Sequence, residues 1–226
     1  MIINQTHHFI FVHVPKSAGT TVTHELSQLT TYRDLELGGT SFGEGIAPFY
    51  GKRFNLRKHS TAREILDVVG PDVWSENFTF GFVRNPFARA YSIYKFLRSW
   101  QEWPGAGEFL KHDTFSSFVH SPFFEEDGPD RILKPQRFWL RNEEGELLTT
   151  FVGRVERLDE DLGHIFQQFG LERARPEAER KNQSSQEGEW ESLYDDPATV
   201  ARVVRRYRID FETFGYEPTV KRRLSP

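Results

Sequence analysis

A buried-strand pattern that runs directly into a hydroxyl-rich turn and an amphipathic helix constrains this chain more than any other feature. Phe9-Ile10-Phe11-Val12-His13-Val14 is a short apolar and aromatic run broken only by His13, the pattern of a strand covered on both faces. Val22, Leu26 and Leu29 then fall at i, i+4 and i+7, one face of a helix. Between the two stand Pro15-Lys16-Ser17-Ala18-Gly19-Thr20-Thr21. A tight strand-to-helix turn aims several main-chain N–H groups, and the positive end of the helix dipole, at one point. Such a point suits a phosphate or sulfate, with Lys16 adding a full charge and Ser17, Thr20 and Thr21 adding donors. The plainer alternative for these residues is an ordinary βα turn with a capping threonine.

A second unit of the same kind follows. Phe78 to Val83 reads as a strand, and Arg84-Asn85-Pro86 follows it, with Asn85 placed as N-cap and Pro86 as first helical residue. Phe87, Tyr91 and Tyr94 share a face of the helix expected to about Leu97. Strands alternating with helices argue for a parallel sheet covered on both faces, with ligands beyond the carboxyl ends of its strands. Phe151 to Val155 adds a short strand, and Leu158, Leu162, Ile165, Phe166 and Phe169 a helix. Asp159, Glu160 and Asp161 in that helix's first turn suit its dipole better than a metal. Ala62 to Val69 reads as a helix capped by Ser60 or Thr61 with Glu64, and Asp196-Pro197 opens the last helix, whose arginines read as a solvated face. Residues 33–53, with Gly38, Gly39, Gly43, Gly45, Gly51 and Pro48, read as a long loop. Residues 100–135 read as an irregular insertion with short helical pieces.

Composition narrows the function. The 226 residues are 37% hydrophobic and 27% charged, enough for one sizeable core, and 21 phenylalanines make that core aromatic. A net charge of −4 argues against nucleic acid as a partner, so an anion site here needs local placement of Lys and Arg. With no cysteine there are no disulfides, thiolate metal sites or cysteine nucleophiles. That absence fits a reducing cytoplasm. No apolar run is long enough to span a membrane, and the first residues lack a signal-peptide pattern, so a soluble cytoplasmic protein is the expectation.

Taken together, the two strand–turn–helix units resemble the sulfotransferases that use 3′-phosphoadenosine 5′-phosphosulfate (PAPS), and within them the carbohydrate branch. Pro15 to Thr21 is similar to the family's 5′-phosphosulfate loop. Arg84-Asn85-Pro86, Arg89, Ser92 and Tyr94 match its 3′-phosphate signature. Phe151-Val152-Gly153-Arg154, Asp210-Phe211 and Phe214-Gly215-Tyr216 look like later landmarks. The resemblance implies a three-layer α/β/α fold with a central, mainly parallel, P-loop-like sheet. It implies a single domain with its core at about residues 8–217, and acceptor loops at 33–57 and 100–135. It also implies PAPS as sulfate donor, no metal, and a carbohydrate or glycoconjugate hydroxyl as acceptor.

Physical chemistry assigns matching roles. Lys16 meets the 5′-phosphate and the bridging oxygen, where charge builds as the S–O bond breaks. The amides of Ser17, Ala18, Gly19 and Thr20 hold the phosphate, and the Thr20 and Thr21 hydroxyls close the cradle. Arg84 offers a planar fork to the 3′-phosphate, and Ser92 reaches the ligand from the helix flank. Arg89 either shares that task or braces its helix. Lys181, Asn182 and Ser184 belong to a polar, basic segment that in related enzymes folds over the 3′-phosphate and adenine; otherwise it is a solvated loop. His59 is the candidate general base, since Lys58-His59-Ser60-Thr61-Ala62-Arg63 looks like a segment that carries a catalytic histidine in some relatives. His13, which packing under the loop explains better than a role as base, and Glu44 are the other candidates. Trp100, Trp103, Trp139 and Trp190 offer either sugar-stacking surfaces or core. Two rivals stand beside this reading. A P-loop kinase needs lysine after its glycines and an aspartate at a strand end, whereas Lys16 precedes Gly19. A non-catalytic relative would keep the nucleotide or glycan site without the chemistry.

Overall fold

A computed structural model describes residues 1–173 and 190–220 of the chain. Among these residues the strands are β1 (Ile2–Asn4), β2 (Phe9–Val12), β3 (Leu35–Glu36), β4 (Phe78–Val83) and β5 (Phe151–Arg154). The helices are α1 (Gly19–Ser27), α2 (Ser41–Phe54), α3 (Ala62–Val69), α4 (Pro71–Ser75), α5 (Pro86–Ser99), α6 (Ala106–Phe109), α7 (Phe115–Val119), α8 (Arg137–Leu140), α9 (Leu158–Gln168) and α10 (Pro197–Phe214). The backbone groups into two compact units: residues 1–84 with 136–173, and residues 85–135 with the described stretch 190–220.

The first unit holds the sheet, in the order β3-β1-β2-β4-β5. β2 pairs parallel with β4, with Phe11 opposite Phe80, and β4 pairs parallel with β5. β1 runs antiparallel to both β2 and β3, so four of the five strands share one direction. On one face Val22 and Leu26 of α1 and Leu158, Leu162, Ile165 and Phe166 of α9 pack with Phe9, Phe11, Phe80 and Phe82. Side chains alternate across a strand, so Gly81 faces the other side, where a Cβ would stand 2.8 Å from Leu140 of α8. α3 starts with the expected capping box between Thr61 and Glu64. The acidic first turn of α9 is structural: Asp161 accepts from the Arg154 N–H, and Asp159 pairs with Arg173, which also grips Glu25.

One element overturns the sequence reading. Residues 33–53 are not a continuous loop, because α2 occupies Ser41–Phe54 in spite of three glycines and Pro48. The helix is fixed at its ends: Thr40 Oγ1 accepts from the Gly43 N–H, Glu44 accepts from the Gly39 N–H, and Asn55 closes the far end in a left-handed conformation. Gly43 is also where the helix touches its support, since a Cβ there would stand 2.9 Å from the Gly38 nitrogen. The acceptor segment expected at 33–57 is therefore largely helical.

In the second unit α5, α6, α7 and α10 surround an aromatic core that includes Phe87, Tyr94, Phe109, Phe118, Phe124 and Tyr207. Phe109 and Phe118 meet edge to face at 5.4 Å, a geometry worth about 0.5–1.5 kcal/mol beyond the area buried. Residues 100–135 are the expected irregular stretch with short helices. The arginine face of α10 is less solvated than its composition suggests. Arg202 and Arg206 pair with Glu125 and Asp127, and Arg206 also donates to the Glu125 carbonyl, while Arg208 stays exposed.

Candidate active site

The turn between β2 and α1 carries two residues in the left-handed region, Lys16 at φ 64° and Ala18 at φ 56°. For residues with a side chain each such conformation costs about 1–2 kcal/mol, and strain of this kind collects where a chain must present particular groups. What the turn presents is a row of donors. The N–H groups of Ser17, Ala18, Gly19, Thr20 and Thr21 meet no acceptor among the described residues, and the first helical bond is Val22 N–H to the Ala18 carbonyl. A row of unsatisfied amides at a helix start suits an anion. Lys16 is half-buried and Thr20 is exposed.

Gly19 cannot be replaced without moving the turn. A Cβ there would lie 1.8 Å from Nε2 of His13. His13 is only 3% exposed, its ring packs beneath the turn, and its Nδ1 has no partner among the described residues. Of its two readings, the structure therefore gives packing under the loop.

The second turn, at the end of β4, is tied to the first. Oε1 of Gln136 accepts from the Ser17 hydroxyl at 2.9 Å and from the Arg84 N–H at 2.7 Å, while its Nε2 donates to the Arg84 carbonyl at 2.8 Å. Gln136 is fully buried, and no motif in the sequence singles it out. The Ser17 hydroxyl points inward and holds the turn, while its N–H meets no acceptor among the described residues. β2 and β4 are adjacent and parallel, so both turns leave their carboxyl ends side by side, the crevice position of α/β sheets.

His59 completes the group. Its Nδ1 lies 2.9 Å from the His13 carbonyl, and its ring meets His13 edge-on at 4.5 Å and Trp139 at 6.2 Å. A carbonyl only accepts, so Nδ1 carries the proton and Nε2 keeps the lone pair. Burial lowers the His59 pKa to about 3 against the opposing pull of that hydrogen bond, and burial likewise holds His13 well below the ordinary value. Both rings are neutral at physiological pH. Glu44 is engaged elsewhere, in an ion pair with Lys58 at 2.9 Å, which leads the causes holding its carboxyl below the usual range.

The family model described as "Sulfotransferase family" matches residues 1–217. The chain belongs to the sulfotransferase family. The comparison with curated proteins gives no match, and neither does the comparison with solved structures. Sulfuryl transfer requires anion-binding groups around a reacting sulfur, and the first unit of this sulfotransferase brings together Lys16, Ser17, Ala18, Gly19, Thr20, Thr21, His59 and Arg84.

Ser92 belongs to the second unit, half-buried on α5. Lys181, Asn182 and Ser184 lie outside the described residues. Arg89 is a brace: it is 1% exposed and donates to the Ile132 and Lys134 carbonyls at 2.9 and 3.1 Å, with its guanidinium over the Tyr207 ring. Trp103 and Trp139 are core residues, while Trp100 and Trp190 are half-buried. Among the described residues no helix is long and apolar enough to cross a membrane.

Proposed function

We propose that this sulfotransferase moves the sulfuryl group of PAPS to a hydroxyl of a carbohydrate or glycoconjugate, with Lys16 and His59 as its catalytic residues. The observation that carries the reading is the adjacency of the two turns, joined through Gln136 at the ends of neighbouring parallel strands. A donor with phosphates at its 5′ and 3′ positions needs two anion sites at a fixed spacing. The amide row with Lys16 suits the first, and Arg84 the second; the part of Ser92 at the 3′-phosphate is what the family resemblance implies. The neutral Nε2 of His59 suits the remaining task, removal of the acceptor's proton.

In the step itself the acceptor oxygen forms a bond to sulfur from the side opposite the bond that breaks. The proton of the acceptor hydroxyl passes to His59 Nε2. The electron pair of the broken S–O bond stays on the 5′-phosphate oxygen, where Lys16 and the amides of residues 17–21 offset the charge. Positioning supplies the rest of the acceleration. The donor's own negative charge raises the pKa of His59 from its low value in the free protein, which brings the base closer to the working pH. The carbohydrate acceptor follows from resemblance to that branch, and the segments 33–57 and 100–135 are its proposed contacts.

Transfer of labelled sulfate from PAPS to a panel of glycans tests the proposal. Wild type is expected to label at least one glycan in the presence of EDTA, while Lys16→Ala and Arg84→Ala lose nucleotide binding. Intact binding of adenosine 3′,5′-bisphosphate with no transfer to any acceptor would favour a non-catalytic relative. A requirement for magnesium and ATP would favour a kinase.

A further inference from the structure

The Gln136 side chain serves three main-chain and hydroxyl groups on two turns far apart in sequence, and it does so fully buried. One oxygen accepts from both Ser17 and Arg84, so neither turn can shift against the other without leaving a buried donor unsatisfied. The amide also takes both polar groups of the Arg84 main chain, which fixes the root from which the guanidinium extends. Three and four residues further on, the same short segment sets Trp139 against the His59 ring and Leu140 over Gly81. A glutamine that merely filled the interior would need to join only one partner. This one joins the two anion-binding turns themselves.

We propose that Gln136 is a positioning residue that fixes the spacing of the two anion sites, so that a ligand with two phosphates gains from binding both at once. The inference rests on the nucleotide reading above. When two contacts are made by one ligand, the second is effectively intramolecular, and its gain depends on the sites being held at the spacing the ligand spans. Loosening that spacing leaves each half-site able to take a single phosphate and removes the advantage of having two.

The test is a calorimetric titration of wild type and Gln136→Met with adenosine 3′,5′-bisphosphate, adenosine 5′-monophosphate and adenosine 3′-monophosphate. Methionine fills a similar volume and makes none of the three hydrogen bonds. The expected result is a loss of at least about tenfold in affinity for the bisphosphate, with each monophosphate changed by less than about threefold. Ser17→Ala, which removes one bond and keeps the amide, is expected to shift the same ratio by less, and it decides the matter should Gln136→Met fail to fold. An equal loss for all three ligands, or an unchanged bisphosphate affinity, would overturn the positioning role and leave the nucleotide reading standing. Failure of wild type to bind the bisphosphate at all would overturn both.

Discussion

His59 donates its Nδ1 proton to the main-chain carbonyl of His13 over 2.9 Å, and that bond decides which nitrogen can act as a base. His59→Gln removes the basic nitrogen and keeps an amide able to donate. Turnover is expected to fall by about 10²–10⁴-fold, with affinity for adenosine 3′,5′-bisphosphate within about twofold of wild type. Retained turnover would reject the assignment of the base without touching the family. Because burial holds the His59 pKa at about 3 in the free protein, kcat/KM should show no acidic fall near the ordinary histidine value of 6.5.

The same burial makes stability depend on pH. His13 and His59 both have folded pKa values below the ordinary 6.5. As pH falls through that value the unfolded chain takes up protons that the folded chain refuses, so stability is full above it and declines as pH drops toward the folded His59 value of about 3. Each refused proton adds about 1.4 kcal/mol per pH unit to the decline. Urea unfolding midpoints at neutral and mildly acidic pH measure this, and His59→Gln should remove one proton's share of the slope. An unchanged slope would contradict the buried neutral ring.

Gly19 and His13 test the packing beneath the amide turn. Gly19→Ala places a Cβ where His13 Nε2 stands, and overpacking of this kind costs about 1–3 kcal/mol. Nucleotide affinity should fall with stability, because the clash displaces the turn itself. Combining it with His13→Ala opens the space, and a double-mutant cycle should show recovery of most of both losses. Simple addition of the two effects would contradict the arrangement.

Arg89 separates a brace from a ligand. Its buried guanidinium donates to two carbonyls of the chain segment before Pro135, so Arg89→Met is expected to lower stability by about 3 kcal/mol. The folded fraction should bind adenosine 3′,5′-bisphosphate as wild type does. A selective loss of nucleotide affinity at unchanged stability would return Arg89 to the anion site.

The parts of this molecule that could be read from sequence are those whose signals are local. β2 with its turn and α1, β4 with Asn85 and Pro86, the Thr61–Glu64 box of α3 and the strand at Phe151 all follow from periodicity and capping within a dozen residues. β1 and β3 were hidden because strands this short leave no alternation to detect. α2 was hidden because its glycines and proline oppose a helix and its end contacts, not its composition, hold it. Gln136 left no trace for a different reason. Its partners Ser17 and Arg84 lie 119 and 52 residues away, and a neutral amide in an irregular stretch carries no motif. The same distance concealed that the Ser17 hydroxyl is turned inward.

A structure of the protein with adenosine 3′,5′-bisphosphate bound is the most direct test of the account. The 5′-phosphate is expected on the amides of residues 17–21 beside Lys16, and the 3′-phosphate on Arg84. A nucleotide seated elsewhere, or one with only a single phosphate held by these turns, would contradict it.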